Sequence, residues 1–159
     1  AISKANYLRV RVFTVEKSEN KEIEAMLKGY EKMIKGFASL EFVRVFDKNI
    51  QATQKQSAES ARDAYEKGYL EHFSSGYNIA LAESGKNPDS HEFSSIIADR
   101  ASVNFFIGGA YGFGESFLKK ADFVLSLGRM TFAHKIAKLV LVEQIYRGLA
   151  IKNGHPYHK

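Results

Sequence analysis

Four glycines crowd into seven residues in the segment Phe105-Phe106-Ile107-Gly108-Gly109-Ala110-Tyr111-Gly112-Phe113-Gly114. An apolar strand that empties into glycine lets backbone amides approach a ligand with no side chain in the way. The spacing is neither G-x-G-x-x-G nor G-x-x-x-x-G-K-[ST], so a dinucleotide fingerprint and a P-loop are both unsupported. Lys119 falls too late for a phosphate loop and has no Ser/Thr beside it.

A second segment, Leu125-Ser126-Leu127-Gly128-Arg129-Met130-Thr131-Phe132-Ala133-His134, again runs from an apolar strand into a loop. Gly128 and Thr131 offer backbone and hydroxyl groups, and Met130 and Phe132 offer apolar walls. Such a mixture suits an adenosine, which needs a flat apolar slot and a few backbone hydrogen bonds. Taken singly, Met130 and Phe132 also fit as core residues, and His134 fits as a hydrogen-bonded structural histidine at a helix start.

The third segment is the end of the chain, Asn153-Gly154-His155-Pro156-Tyr157-His158-Lys159. Aromatic rings there can stack on unpaired bases, and lysine or protonated histidine can meet phosphate. His155 and His158 make half a metal site without a third ligand, so no metal is expected. Neither a Ser/His/Asp set nor a carboxylate pair points to hydrolysis. The absence of cysteine excludes disulfides, thiolate zinc sites and cysteine nucleophiles.

The net charge of +5 is confined to one part of the 159 residues. From Phe106 onward there are eight Lys/Arg against three acids, while the first 105 residues are balanced. Three of the five histidines share that final third. A one-sided basic surface is the footprint of a polyanion partner, or else a solvated basic face. No apolar run approaches a membrane span, and Arg9 and Arg11 interrupt the first apolar stretch, unlike a secretory signal. A cytoplasmic protein is expected.

Positioning these segments requires alternating strands and helices. Leu8–Val15 alternates apolar and polar residues as a strand does. Ile23 to Ile34 recurs at helical spacing, with Asn20 as N-cap and Gly36 as stop. Leu40–Phe46 is a second strand. Thr53 to Phe73 is a polar helix with a thin stripe of Ala58, Ala61, Ala64, Tyr65 and Leu70, preceded by a polar, loop-like lead-in. Asn78–Ala82 is a short strand, and Glu83–Pro88 a loop. A helix capped by Asp89 or Ser90 runs to about Ala101, before the apolar strand Val103–Ile107. A short helix over Glu115–Ala121 leads to the strand Phe123–Leu127. The last helix, about His134–Ile151, carries Ile136, Leu139, Val140, Glu143, Tyr146, Leu149 and Ala150 on related turns. Continuous apolar strands alternating with helices imply a single α/β domain over residues 1–159, with a parallel sheet flanked by helices.

Ile107-Gly108-Gly109 with Gly112-Phe113, then Leu125-Ser126-Leu127 and Met130-Thr131-Phe132 before His134, resemble the SPOUT knot methyltransferases. Glu143-Gln144-Ile145-Tyr146-Arg147 and the closing His155-Pro156-Tyr157-His158-Lys159 resemble one branch, the ribosomal RNA large subunit methyltransferase H family of pseudouridine N3-methyltransferases. The resemblance implies a C-terminal trefoil knot and a homodimer with its S-adenosylmethionine site near the subunit interface. Cofactor contacts carry over onto Leu81, Gly108, Gly109, Leu127, Gly128, Arg129, Met130, Thr131, Phe132 and Ala133. His155, Tyr157, His158 and Lys159 fall on the family's RNA-facing, activity-required tail. This chain departs from the pattern at Ala133, where proline is usual, and at Gly128-Arg129, a more basic version of a small polar pair. It departs again at Phe13-Thr14-Val15-Glu16-Lys17, where a glycine-containing turn is usual.

The implied reaction methylates N3 of a pseudouridine in 23S rRNA, on assembled ribosomes. The protein then supplies in-line positioning and a route for the N3 proton. His155 and His158 are the candidates near that proton, Tyr157 stacks on or hydrogen-bonds to the base, and Arg129, Lys135 and Lys138 hold phosphates. The alternatives are a non-enzymatic RNA-binding dimer of the same fold, a family member with another RNA target, or an enzyme using a different nucleotide.

Overall fold

A computed structural model describes residues 7–73 and 75–159. Five parallel strands form one sheet in the order β2-β1-β4-β3-β5. They are β1 Leu8–Thr14, β2 Ala38–Arg44, β3 Tyr77–Lys86, β4 Ser102–Phe106 and β5 Phe123–Leu125. The helices are α1 Lys21–Ile34, α2 Lys48–Gln54, α3 Ala58–Leu70, α4 Ser90–Ile97, α5 Glu115–Lys120 and α6 His134–Lys152.

Both faces of the sheet are covered, which is why its central strands are apolar on both sides. Val10, Val12, Val103 and Phe105 join one core with residues of α1, α4 and α6. Phe13 and Phe106, stacked with centroids 4.6 Å apart, join the other with Tyr65, Tyr69 and Phe117 of α3 and α5. Asn104 sits fully buried in this sheet. It is satisfied by the Arg11 Nε donor at 3.0 Å, the Asn78 side chain at 3.0 Å and the Ser75 carbonyl at 2.7 Å.

Helix ends follow the local chemistry. The Asn20 side chain accepts from the amides of Glu22 and Ile23, and Asp89 with Glu92 closes a capping box on α4. Four expectations change. The supposed lead-in to the polar helix is itself a helix, α2, capped by Asp47; with Ile50 as its one buried residue, it shows no periodicity to read. Helix α3 is not thinly packed, because Tyr65 and Tyr69 are completely buried. Strand β3 runs through the expected loop as far as Lys86, which pairs with Leu125 after a register shift. Gly85 permits this, since a Cβ there would press on the Val124 backbone.

The fourth change is the phase of α6. Tyr146, Leu149 and Ala150 are buried as expected, but the rest of its core face is Ala137, Lys138, Leu141, Val142, Ile145 and Gly148, while Ile136 is exposed. A helix apolar on nearly every side has no stripe from which its rotation can be read.

Candidate active site

A cavity of about 760 Å³ opens at the ends of β4 and β5, beside the outer half of β3. Parallel sheets bind ligands beyond the carboxyl ends of their strands, and two loops meet the outer half of β3 there. Residues 81–84 extend β3, residues 107–113 form the glycine loop after β4, and residues 127–134 join β5 to α6. Every expected cofactor residue except Arg129 lines this cavity: Leu81, Gly108, Gly109, Leu127, Gly128, Met130, Thr131, Phe132 and Ala133. Arg129 is exposed outside the lining. Gly128 adopts a φ of 137°, a conformation that disfavours any side chain, and Ser126 ties its amide and carbonyl into a local turn. Met130 and Phe132 are not core residues, being 75% and 39% exposed.

The glycine loop is held from below by α3, a support the sequence did not disclose. Tyr65 donates its hydroxyl to the Gly112 carbonyl, and Tyr69 donates to the Ile107 carbonyl at 2.7 Å. Between them, Glu66 accepts from the Gly114 amide at 2.7 Å. Burial, first, and the neighbouring Glu66 charge push the Tyr65 phenol well up, and burial does the same for Tyr69. Both therefore remain donors at any working pH. The Tyr65 ring lies directly under Gly109, whose added Cβ would stand 2.9 Å from Cε1. Gly109→Ala should consequently displace the loop and weaken cofactor binding about tenfold or more by calorimetric titration, the scale of a 1–3 kcal/mol overpacking strain. Unchanged affinity would show that the loop does not shape the cavity.

Half of the basic residues of the final third are spoken for. Lys138, expected at phosphate, is only 3% exposed and is paired with Glu16 and Glu19. Burial raises the Glu19 carboxyl, but the hydrogen bond and charge of Lys138 outweigh this and leave it lowered. Arg147 meets Glu143 at 2.7 Å, Lys119 meets Glu115, and Lys152 meets Asp99. Among the described residues of the final third, Lys120, Arg129, Lys135 and Lys159 have no ion pair. A second cavity, about 560 Å³, adjoins the first and shares Ala110, Tyr111 and His134 with it.

The terminal residues fold back on α6. Tyr157 donates to Glu143 at 3.1 Å, its ring lies beneath the Arg147 guanidinium, and it packs against Tyr146. Burial, then the Glu143 hydrogen bond and charge, push the Tyr157 phenol up to about 12. His158 places Nδ1 3.0 Å from Arg147 Nη1, and its ring meets His91 edge-on. A guanidinium only donates, so Nδ1 accepts and the ring proton sits on Nε2. His155 likewise accepts from the Tyr157 amide at Nδ1, at 3.3 Å. Both rings thus turn their lone pair inward and present N–H. The structure groups Tyr157 and His158 with Glu143 and Arg147, sets His155 against Phe37 and Tyr146, and none of the three lines the cavity. From Ala137 at the cavity to Arg147 is about 15 Å of helix rise within one chain.

The family model described as "Predicted SPOUT methyltransferase" matches residues 8–158. The chain belongs to the SPOUT methyltransferase family. It is 42% identical to "Ribosomal RNA large subunit methyltransferase H" of Sulfurovum sp. (strain NBC37-1), across 96% of this chain and 100% of that protein. The protein of the same name from Campylobacter jejuni (strain RM1221) is 43% identical, across 97% and 99%. Among solved structures, a probable methylase family protein from Haemophilus influenzae Rd KW20 superposes with a TM-score of 0.54 at 13% identity. That match covers 96% of this chain and 70% of that one. The tRNA (m1G37) methyltransferase of Aquifex aeolicus superposes with a TM-score of 0.52 at 15% identity, over 89% and 70%. These two show the fold. The resemblance drawn from the glycine loop, the β5–α6 loop and the terminus is therefore correct at the level of family, and the chain is a methyltransferase. Among the described residues, no helix is long and apolar enough to cross a membrane, and no cluster of metal-ligating side chains is present.

Proposed function

We propose that this chain transfers the methyl group of S-adenosylmethionine to N3 of a pseudouridine in large-subunit (23S) rRNA. It does so in the cytoplasm, as a homodimer on the assembled ribosome. The observation that carries the proposal is the cavity built by Gly108, Gly109 and residues 127–133 at the strand ends, in a chain 42% identical from end to end to a ribosomal RNA large subunit methyltransferase H.

The residues fit an adenosine-bearing cofactor. Side-chain-free backbone at Gly108 and Gly109 suits close polar contact, and Leu81, Met130 and Phe132 supply apolar walls. S-adenosylmethionine brings a methyl group already activated as a sulfonium. What remains for the protein is to hold the acceptor in line and to take its proton.

Distance and exposure support the dimer. The tail docks some turns along α6 from the cavity of its own chain, and a second copy would bring its own tail there. Met130, Phe132 and Ile136 are all exposed around the cavity and the start of α6, apolar surface that such a copy would cover. His155, Tyr157, His158 and Lys159 then meet the RNA, with the two histidines donating N–H and Lys159 and Arg129 meeting phosphate. That residues 81–84, 107–113 and 127–134 line one cavity fits the trefoil knot of the family. Calorimetric titration should show S-adenosylmethionine binding with no response to ATP or NAD, and sedimentation should give the mass of two chains. Failure to bind S-adenosylmethionine with intact RNA binding would mean a non-enzymatic RNA-binding dimer.

A further inference from the structure

A buried cluster beside His134 holds more negative than positive charge. Glu16, 1% exposed by side chain, and Glu19 share the single ammonium of Lys138. Thr14 donates to the same Glu16 oxygen that Lys138 engages, Oε1, at 3.2 Å. The other oxygen, Oε2, is buried without a hydrogen-bond partner and faces His134 Nε2 at 3.9 Å. An uncompensated carboxylate oxygen is costly to bury, and a proton on His134 would bring the group to neutrality. His134 begins α6, where the helix dipole opposes a cationic ring, so Glu16 supplies the compensation.

The histidine also stands where the two cavities meet. The second cavity offers the amides of Gln51 and Gln54, the rings of Phe46 and Tyr111, and the ammonium groups of Lys17 and Lys55. Amides can pair with the polar edge of a base, rings can stack on it, and lysines can hold its phosphates.

We propose that the second cavity receives the target nucleotide and that His134, oriented by Glu16, takes the proton from its N3. This rests on the methyl-transfer proposal above. The N3–H bond breaks and its proton passes to the free ring nitrogen of His134. The N3 pair forms the new bond to the methyl carbon, and the carbon–sulfur bond pair returns to sulfur, leaving a neutral thioether. Glu16 is a positioning residue whose Oε2 faces Nε2 at 3.9 Å and balances the imidazolium by charge, as a carboxylate does in other histidine dyads. The tail histidines, with their lone pairs turned onto Arg147 and the Tyr157 amide, are donors instead.

His134→Gln should lower kcat by about a hundredfold or more, with KM for RNA and cofactor affinity within about threefold. The charged and titratable groups around His134 are Glu16, Lys17 and Glu19 after β1, Lys55 on α2, Tyr111 after β4, and Lys135 and Lys138 on α6. Against that background, Glu16→Gln should lower kcat with KM for RNA unchanged, and should cost nothing further in the His134→Gln chain, because the two act as a unit. Gln54→Glu, which puts a carboxylate in the second cavity, should weaken RNA binding and leave cofactor binding unchanged. A kcat for His134→Gln within threefold of wild type, or unaltered RNA affinity in Gln54→Glu, overturns the proposal. A long-range ¹H–¹⁵N spectrum of the cofactor-free wild-type protein judges the dyad without activity or a foldable Glu16 variant. Nε2–H on neutral His134 is expected, and Nδ1–H overturns the assignment. Absent turnover in wild type together with Nε2–H would count against methyl transfer, not against the dyad.

Discussion

Lys138→Met is expected to destabilise the protein by about 3–5 kcal/mol at neutral pH, the cost of stranding buried charge by removing its partner. Methionine keeps most of the apolar stem and loses only the ammonium, so packing changes little. Glu16 and Glu19 are then left facing each other with burial and repulsion unopposed. The pH dependence should reverse between the two proteins. In wild type, Lys138 holds the Glu19 carboxyl below its ordinary value near 4.5. A carboxyl so lowered contributes stability above that value and loses it as pH falls through the lowered one. In the variant Glu19 loses that support and its burial opposes ionisation, so acidification relieves it. Urea unfolding at pH 7 and pH 4.5 should therefore show the stability gap narrowing on the acid side. A gap below about 1 kcal/mol, the range of an exposed pair, would show that the cluster is solvated and not buried.

Replacing His158 and Lys159 together by alanine is expected to reduce methyl transfer about a hundredfold or more, the scale of losing substrate positioning, while S-adenosylmethionine affinity stays put. The terminal residues lie away from the cavity, on Glu143 and Arg147, so their loss leaves the cavity walls intact. Cofactor titration and single-turnover transfer on the same preparation separate the two effects. Loss of cofactor affinity in step with turnover would make the tail a structural brace. Mixing this variant with a cavity-defective chain such as Gly109→Ala adds a check on the dimer. Activity should return in mixed dimers, because one of their two composite sites is whole.

Much of this site was legible in the chain, for identifiable reasons. Gly108-Gly109 and the run from Leu127 to Ala133 follow strands whose apolar character is local, so their place at the sheet's ligand-binding end could be read directly. Tyr65, Glu66 and Tyr69 could not, because their role depends on which loop α3 meets across the sheet, and their helix looks solvated in sequence. Lys138 was misplaced for a similar reason. A lysine among apolar helix residues reads as a surface cation until Glu16 and Glu19, more than a hundred positions earlier, are seen against it. The continuous hydrophobicity of α6 hid its rotation, and with it the exposure of Ile136. Helix α2, with Ile50 alone buried, left no pattern to find.

The most direct measurement is transfer of labelled methyl from S-adenosylmethionine to assembled ribosomes, and separately to isolated large subunits, from cells lacking the modification. The RNA is then digested to nucleosides and analysed by mass spectrometry. The expected result is one labelled nucleoside, N3-methylpseudouridine, from the large-subunit rRNA of whole ribosomes, lost in His134→Gln. No label, or label on a nucleoside other than pseudouridine, would contradict the proposed activity.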